Sequence, residues 1–288
     1  MANINSEKSY RAHIIRNKII RYVVLVFLTI VCLFPLYVMF INSTHESHKI
    51  AQGLLVLPGT WFFKNLFNTL NDGSIPILRG LLNSLIISAC CAVLTTYFST
   101  LTAYAVHAYD FKGRKAIQTF ILAVMMIPSQ VTALGFYDLM KTFGLLDNYI
   151  PLIVPTIAAP VVYFFMLQYM QGALPLEIVE AARIDGSNEL RTFNSIVLPI
   201  MKPAIAVQAI FAFVTNWNNY FTPNLIIKSQ RLYTLPIVIA KLRAADFASF
   251  DNGKIYMAMV LSILPVVVVY VFLSRYIIQG VAVGSVKG

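Results

Sequence analysis

Six long stretches without a charge in their middles dominate this chain: Tyr22–Ile41, Leu81–Ala108, Ala116–Tyr137, Tyr149–Gln171, Ala204–Lys228 and Ile255–Ser274. Each reaches the roughly 20 residues that a helix needs to cross the hydrocarbon core of a bilayer. That core offers no water to pair backbone N–H and C=O groups, so a spanning segment satisfies them internally. The expected fold is all-α and integral to the membrane, with six transmembrane helices in one domain over residues 1–288. Composition agrees, since 58% of the side chains are hydrophobic and 12% charged, against about a quarter charged in soluble domains.

Six spans place both termini on one side, and the basic residues choose which. Lys8, Arg11, Arg16, Lys18 and Arg21 precede the first span, Lys112, Arg114 and Lys115 fill the second loop, and Arg183, Arg191 and Lys202 lie in the fourth. With Arg275 and Lys287, that side holds 13 of the 22 basic residues. It reads as cytoplasmic, in a plasma or inner cell membrane. Lys228, Arg231, Lys241, Arg243 and Lys254 crowd the last external loop, so the tight clusters at the first two cytoplasmic boundaries carry the assignment.

The net charge of +10 is scattered over loops and ends, without the dense patch or module of a nucleic-acid partner. Cys32, Cys90 and Cys91 lie in apolar spans without disulfide or metal spacing and read as packing residues. His45, Glu46 and His48 supply too few ligands for a metal, and none is expected. His107, near a cytoplasmic boundary, has no evident partner. The first apolar stretch follows a basic segment without a small-residue cleavage site and reads as a retained helix. Trp61, Phe62, Phe63 and Phe67 suit interfacial anchoring of the first external loop. Pro151, Pro155 and Pro160 are expected to kink the fourth span.

The sharpest pattern is the loop between spans four and five. Pro175 suits a helix start, Glu177 and Glu180 oppose the positive end of its dipole, and Gly186 is a natural terminator. Ser187 is expected to cap a second helix running toward Pro199, with Glu189 in its first turn. The result is a helix, a sharp turn and another helix. Ala181 and Ala182 leave little bulk for an approaching partner, to which Glu180, Arg183 and Asp185 offer charge.

This segment resembles the signature loop of ABC-importer permeases: Glu-Ala-Ala, three free positions, Gly, nine free positions, Ile, one free position, Leu-Pro. Glu180, Ala181, Ala182, Gly186, Ile196, Leu198 and Pro199 meet every specified letter. Asn83-Ser84, Ala103-Tyr104-Ala105, Met126-Ile127-Pro128, Gly144-Leu145-Leu146-Asp147-Asn148-Tyr149 and the closing Gly284-Ser285-Val286-Lys287-Gly288 are similar to the carbohydrate, maltose-type branch.

The resemblance implies that a loop of about residues 172–202 is a coupling helix seated in a cytoplasmic ATPase. Glu180 and Asp185 would make polar contacts there, beside Arg183, Ala181 and Ala182 would allow close docking, and Gly186 would form the turn. It implies a heterodimer with a second permease, two ATPase subunits and an external binding protein that delivers sugar. The chain itself contains no Gly-x-x-x-x-Gly-Lys-Ser/Thr phosphate loop, so no cofactor is expected on it, and ATP and Mg belong to the ATPase. Asn216, Trp217, Asn218, Asn219 and Tyr220 combine amides and aromatics suited to a sugar, or to interhelical bonding and anchoring. An ion-coupled secondary transporter is the alternative, although the span middles lack the Asp, Glu or His that usually carries a proton.

Overall fold

A computed structural model describes residues 2–73, 76–244 and 251–284, with side chains over 14–73, 76–128, 130–244 and 251–274. Ser285–Gly288, and the side chains of Lys8, Arg11 and Arg275, lie outside the described residues. The helices are α1 (Ala2–Ser43), α2 (Ser47–Ala51), α3 (Phe62–Leu70), α4 (Ile77–Ala108), α5 (Arg114–Met125), α6 (Ser129–Thr142) and α7 (Ile150–Ile153). They continue as α8 (Pro160–Ala173), α9 (Leu176–Ile184), α10 (Glu189–Thr192), α11 (Leu198–Trp217), α12 (Phe221–Ile226), α13 (Leu235–Arg243) and α14 (Asn252–Gly284). Among the described residues, five helical segments are long and apolar enough to span a bilayer, and the α5–α6 pair makes a sixth if it forms one broken span.

Where the spans break, prolines explain it. The third stretch is bent by 101° between α5 and α6, at Met126-Ile127-Pro128, because Pro128 lacks an N–H and disfavours helical backbone at Ile127. The fourth is divided into α7, a 3₁₀ turn over Val154–Ile157 and α8. Pro160 cannot donate to the Thr156 carbonyl, and the Thr95 hydroxyl of α4 does so instead at 2.9 Å. The fifth differs from the expected Ala204–Lys228: its helix runs over Glu189–Trp217. Pro199 sits in the first turn of α11, where its missing N–H is tolerated. A π turn over Phe193–Val197 joins α10 to α11.

Contacts divide the chain into two compact units. In the first, Met1–Thr69 with Asp246–Val260, the buried Asn65 amide donates to the carbonyls of Ser43 and His45 at 2.9 and 2.8 Å. Lys64 lies 3.6 Å over the Trp61 ring, and Phe63 and Phe67 of α3 face outward. In the second, Leu70–Ala245 with Leu261–Gly288, α4 packs along α8 and α11. Tyr104, Met166, Met170, Phe193, Val197 and Met201 form the core there. Asn83 donates to the Arg231 and Tyr233 carbonyls at 3.1 and 2.9 Å, and Ser84 accepts the Leu235 N–H at 2.8 Å. This pair therefore fastens the start of α4 to the start of α13.

Candidate functional site

The loop after α8 folds as a short helix closed by a two-bond turn. Ser187 N–H donates to Ala182 C=O at 2.9 Å and Gly186 N–H to Arg183 C=O at 3.0 Å, the Schellman pattern that satisfies carbonyls left over at a helix end. It requires a left-handed residue, and Gly186 has φ +78°. The next helix is capped one residue later than expected: Asn188 Oδ1 accepts the Arg191 N–H at 2.8 Å. Ser187 instead accepts a bond from the Thr192 hydroxyl at 3.0 Å.

Helical spacing divides the loop into two faces. Val179 and Ala182, three apart, are buried, whereas Glu180, Ala181, Asp185 and Gly186 are exposed. Only one of the two alanines is thus available to a partner. Arg183, expected to point outward, is turned in. Its Nε donates to Glu189 Oε1 at 2.9 Å, and its guanidinium stacks on the Tyr109 ring at 4.9 Å. The Tyr104 hydroxyl of α4 donates to the other Glu189 oxygen at 3.0 Å. Burial pushes the Tyr109 phenol above its ordinary pKa, and the Glu189 carboxylate beside it adds to this. His107, for which no partner was evident, lies 3.0 Å from the Leu174 carbonyl through Nε2.

The two most exposed large apolar side chains of the loop escaped the sequence reading: Ile184 is 87% and Leu190 66% exposed. The signal was available, because Ile184 lies about 200° around the helix from Ala182 and cannot share its buried stripe. Ile184 follows Glu180 by one helical turn and precedes Asp185, so the exposed face of α9 carries an apolar side chain between carboxylates.

The five residues at the end of α11 do not form one group. Asn216 and Asn219 line a cavity of about 270 Å³ with Ser84, Thr156, Thr222 and Thr234. Trp217, Asn218 and Tyr220 border a different hollow. Trp217 is 3% exposed, stacks on Phe213 with ring centroids 5.7 Å apart, and donates its indole N–H to Ser262 C=O at 3.0 Å. It is a core aromatic rather than a free platform for a solute. Asn216 donates to Ala212 C=O at 2.8 Å.

A clip lies beside the polar cavity. Asp147, with φ +56°, accepts bonds from the Lys228 and Ser229 N–H groups at 2.9 and 2.8 Å and from the Ser229 hydroxyl. Those donors, the hydroxyl foremost, hold its carboxyl below the ordinary carboxylate range. It joins the turn before α7 to the segment after α12, and residues of those two helices, Leu152 and Thr222 among them, line the cavity.

Residues 97–283 match the family described as binding-protein-dependent transport system inner membrane component. The arabinooligosaccharides transport system permease protein AraQ of Bacillus subtilis is 34% identical over 91% of this chain and 92% of its own length. The sn-glycerol-3-phosphate transport system permease protein UgpE of Escherichia coli K12 is 31% identical over 87% and 90%. The fold matches a chain of a bacterial ABC transporter involved in import of the acidic polysaccharide alginate, with a TM-score of 0.78 at 24% identity over 90% of this chain and 95% of that one. These matches favour the ABC-importer reading over an ion-coupled carrier. The multi-pass helical chain, carrying the complete signature segment as a closed helix and turn, belongs to the binding-protein-dependent inner membrane permeases of ABC importers.

Proposed function

We infer that this permease, as one domain over residues 1–288, forms half of the translocation pathway of an ATP-driven sugar or oligosaccharide importer. A cytoplasmic ATPase docks on its loop of about residues 172–202. The observation that carries this reading is the outward face of α9, where Glu180, Ala181, Ile184 and Asp185 surround the Gly186 turn. Glu180 and Asp185 supply polar contacts, Ala181 permits close approach and Ile184 fills an apolar recess of the partner. Ala182 and Arg183 act from inside, by seating the helix. ATP, Mg and the hydrolytic chemistry reside on the ATPase, in keeping with the absence of a phosphate loop here. Both termini and the loop face the cytoplasm, and the complex contains a second permease, two ATPase subunits and an external binding protein.

The solute class follows from the relatives, whose names specify arabinooligosaccharides in one case and sn-glycerol-3-phosphate in another. Both carry hydroxyl groups. The cavity lined by Asn216, Asn219 and several Ser and Thr hydroxyls offers matching hydrogen-bonding groups along the path. The test is purification with partners, reconstitution, and ATP hydrolysis measured with binding protein loaded from a panel of oligosaccharides, sugar phosphates and amino acids. Stimulation by an oligosaccharide is expected. Stimulation by an amino acid alone would overturn the carbohydrate assignment, and failure of any ATPase to copurify would overturn the docking assignment.

A further inference from the structure

The docking face alone does not move a membrane helix. Force applied at the Gly186 turn could be lost in bending of the loop unless something stiff joins the loop to a span. Most contacts beneath it are apolar or aromatic: Val179 is in the core, and Phe193 lies 5.8 Å from Tyr104, ring to ring. Such contacts resist separation but have little directional preference against sliding. Hydrogen bonds to charged groups are stronger than neutral ones and add geometric specificity, and one carboxylate collects them here. Glu189 holds Arg183 of α9 with one oxygen and Tyr104 of α4 with the other, at 2.9 and 3.0 Å. Tyr109, just past α4, carries the guanidinium on its ring, and its hydroxyl interacts with both charged partners. At the entry to the loop, His107 of α4 meets the Leu174 carbonyl. The helix α9 and its turn are thus pinned to α4 on both sides, at Leu174 and at Glu189.

We propose that Glu189 is a positioning residue that locks the coupling turn to α4, so that force taken up at the loop displaces this span as a rigid body. The proposal rests on the reading that the loop docks an ATPase. Tyr104 sets the span side of the lock, Arg183 the turn side. Removing the Tyr104 hydroxyl leaves the ring to pack against Phe193 and cuts the direct bond between carboxylate and α4. Glu189→Gln keeps the shape of the residue and removes the charge that pairs with Arg183.

The experiment uses the full importer complex in nanodiscs, with Cys32, Cys90 and Cys91 replaced by alanine. Spin labels are placed at Glu177→Cys on α9 and Ala105→Cys on α4, both exposed positions. Distances are measured without nucleotide and after trapping with ATP and vanadate. With the lock intact, one separation should persist in both states while the complex changes conformation. In Tyr104→Phe and Glu189→Gln the population at other separations should rise about two- to thirtyfold in the trapped state, the size expected when one member of a coupling network is lost. A purely structural role would lower complex yield and leave the separation unchanged. An unchanged distance distribution in both variants, or a separation in the parent that itself shifts on trapping, overturns the lock alone. Failure of the parent complex to retain an ATPase overturns the docking reading and the lock with it.

Discussion

Replacing Gly186 tests the coupling turn with little ambiguity, because its backbone and its surroundings make different demands. A Cβ built at Gly186 meets no heavy atom within 4 Å, so a side chain there causes no clash. The cost of Gly186→Ala is therefore the left-handed backbone at φ +78° alone, about 1–2 kcal/mol. Spent on a local turn, that shifts its population about five- to thirtyfold. Asparagine enters the left-handed region more readily, so Gly186→Asn should recover most of the loss. Gly186→Pro goes further: proline cannot reach positive φ and lacks the N–H bonded to Arg183, so both the turn and that bond are lost. The assay is ATP-dependent uptake in reconstituted vesicles, with membrane abundance and ATPase retention measured on the same samples. The expected order of uptake is Gly, then Asn, then Ala, with Pro inactive although present in the membrane. Normal uptake by Gly186→Pro would refute the coupling role. Equal impairment of Ala and Asn would refute the backbone argument, since only conformational preference separates them here.

Three further outcomes follow from particular contacts. Trp217→Ala should cost about 3–5 kcal/mol as a core truncation, seen as lower yield and melting temperature of the complex; a normal melting temperature with weakened solute affinity would restore a pathway role to Trp217. Asp147→Asn should remove stabilisation that depends on the carboxylate and its three donors. Because the folded pKa is depressed, that stabilisation is present above the ordinary carboxylate range and is lost as pH falls through the lower folded value. Melting of parent and variant should therefore differ at neutral pH and converge in acid, and a constant difference would exclude the charge as its source. Thr95→Val should strand the Thr156 carbonyl at a cost of about 1–3 kcal/mol. In a Pro160→Ala background that carbonyl can regain a helical N–H, so the penalty should shrink; an unchanged penalty would show that Thr95 acts by packing alone.

Much was legible in the chain itself, for physical reasons. Apolar length sets where helices can cross a bilayer, and prolines mark where backbone bonds must be surrendered, so the spans and the divided fourth helix follow from local chemistry. The Pro175-to-Gly186 helix and its tight turn were equally local, since a left-handed closing position calls for glycine wherever it lies in a fold. Local chemistry did not decide the direction of side chains. Ala182 and Arg183 read as neighbours of Glu180 on a partner-facing surface, yet Ala182 is buried and the Tyr109 ring and Glu189 carboxylate hold Arg183 inward. Trp217 read as either a platform for a solute or an interhelical and interfacial anchor, and its bond to the distant Ser262 carbonyl, with its burial, makes it core. In the divided fourth span, the Thr156 carbonyl freed at Pro160 is recaptured by the Thr95 hydroxyl of another helix, which local chemistry could not specify. The sequence by itself determined the membrane spans and the closed signature turn through short-range backbone chemistry. Which signature residues remain open to a partner, and which other loop residues join the turn to a span, was decided by tertiary contacts such as the bond from Tyr104 to Glu189, 85 residues apart.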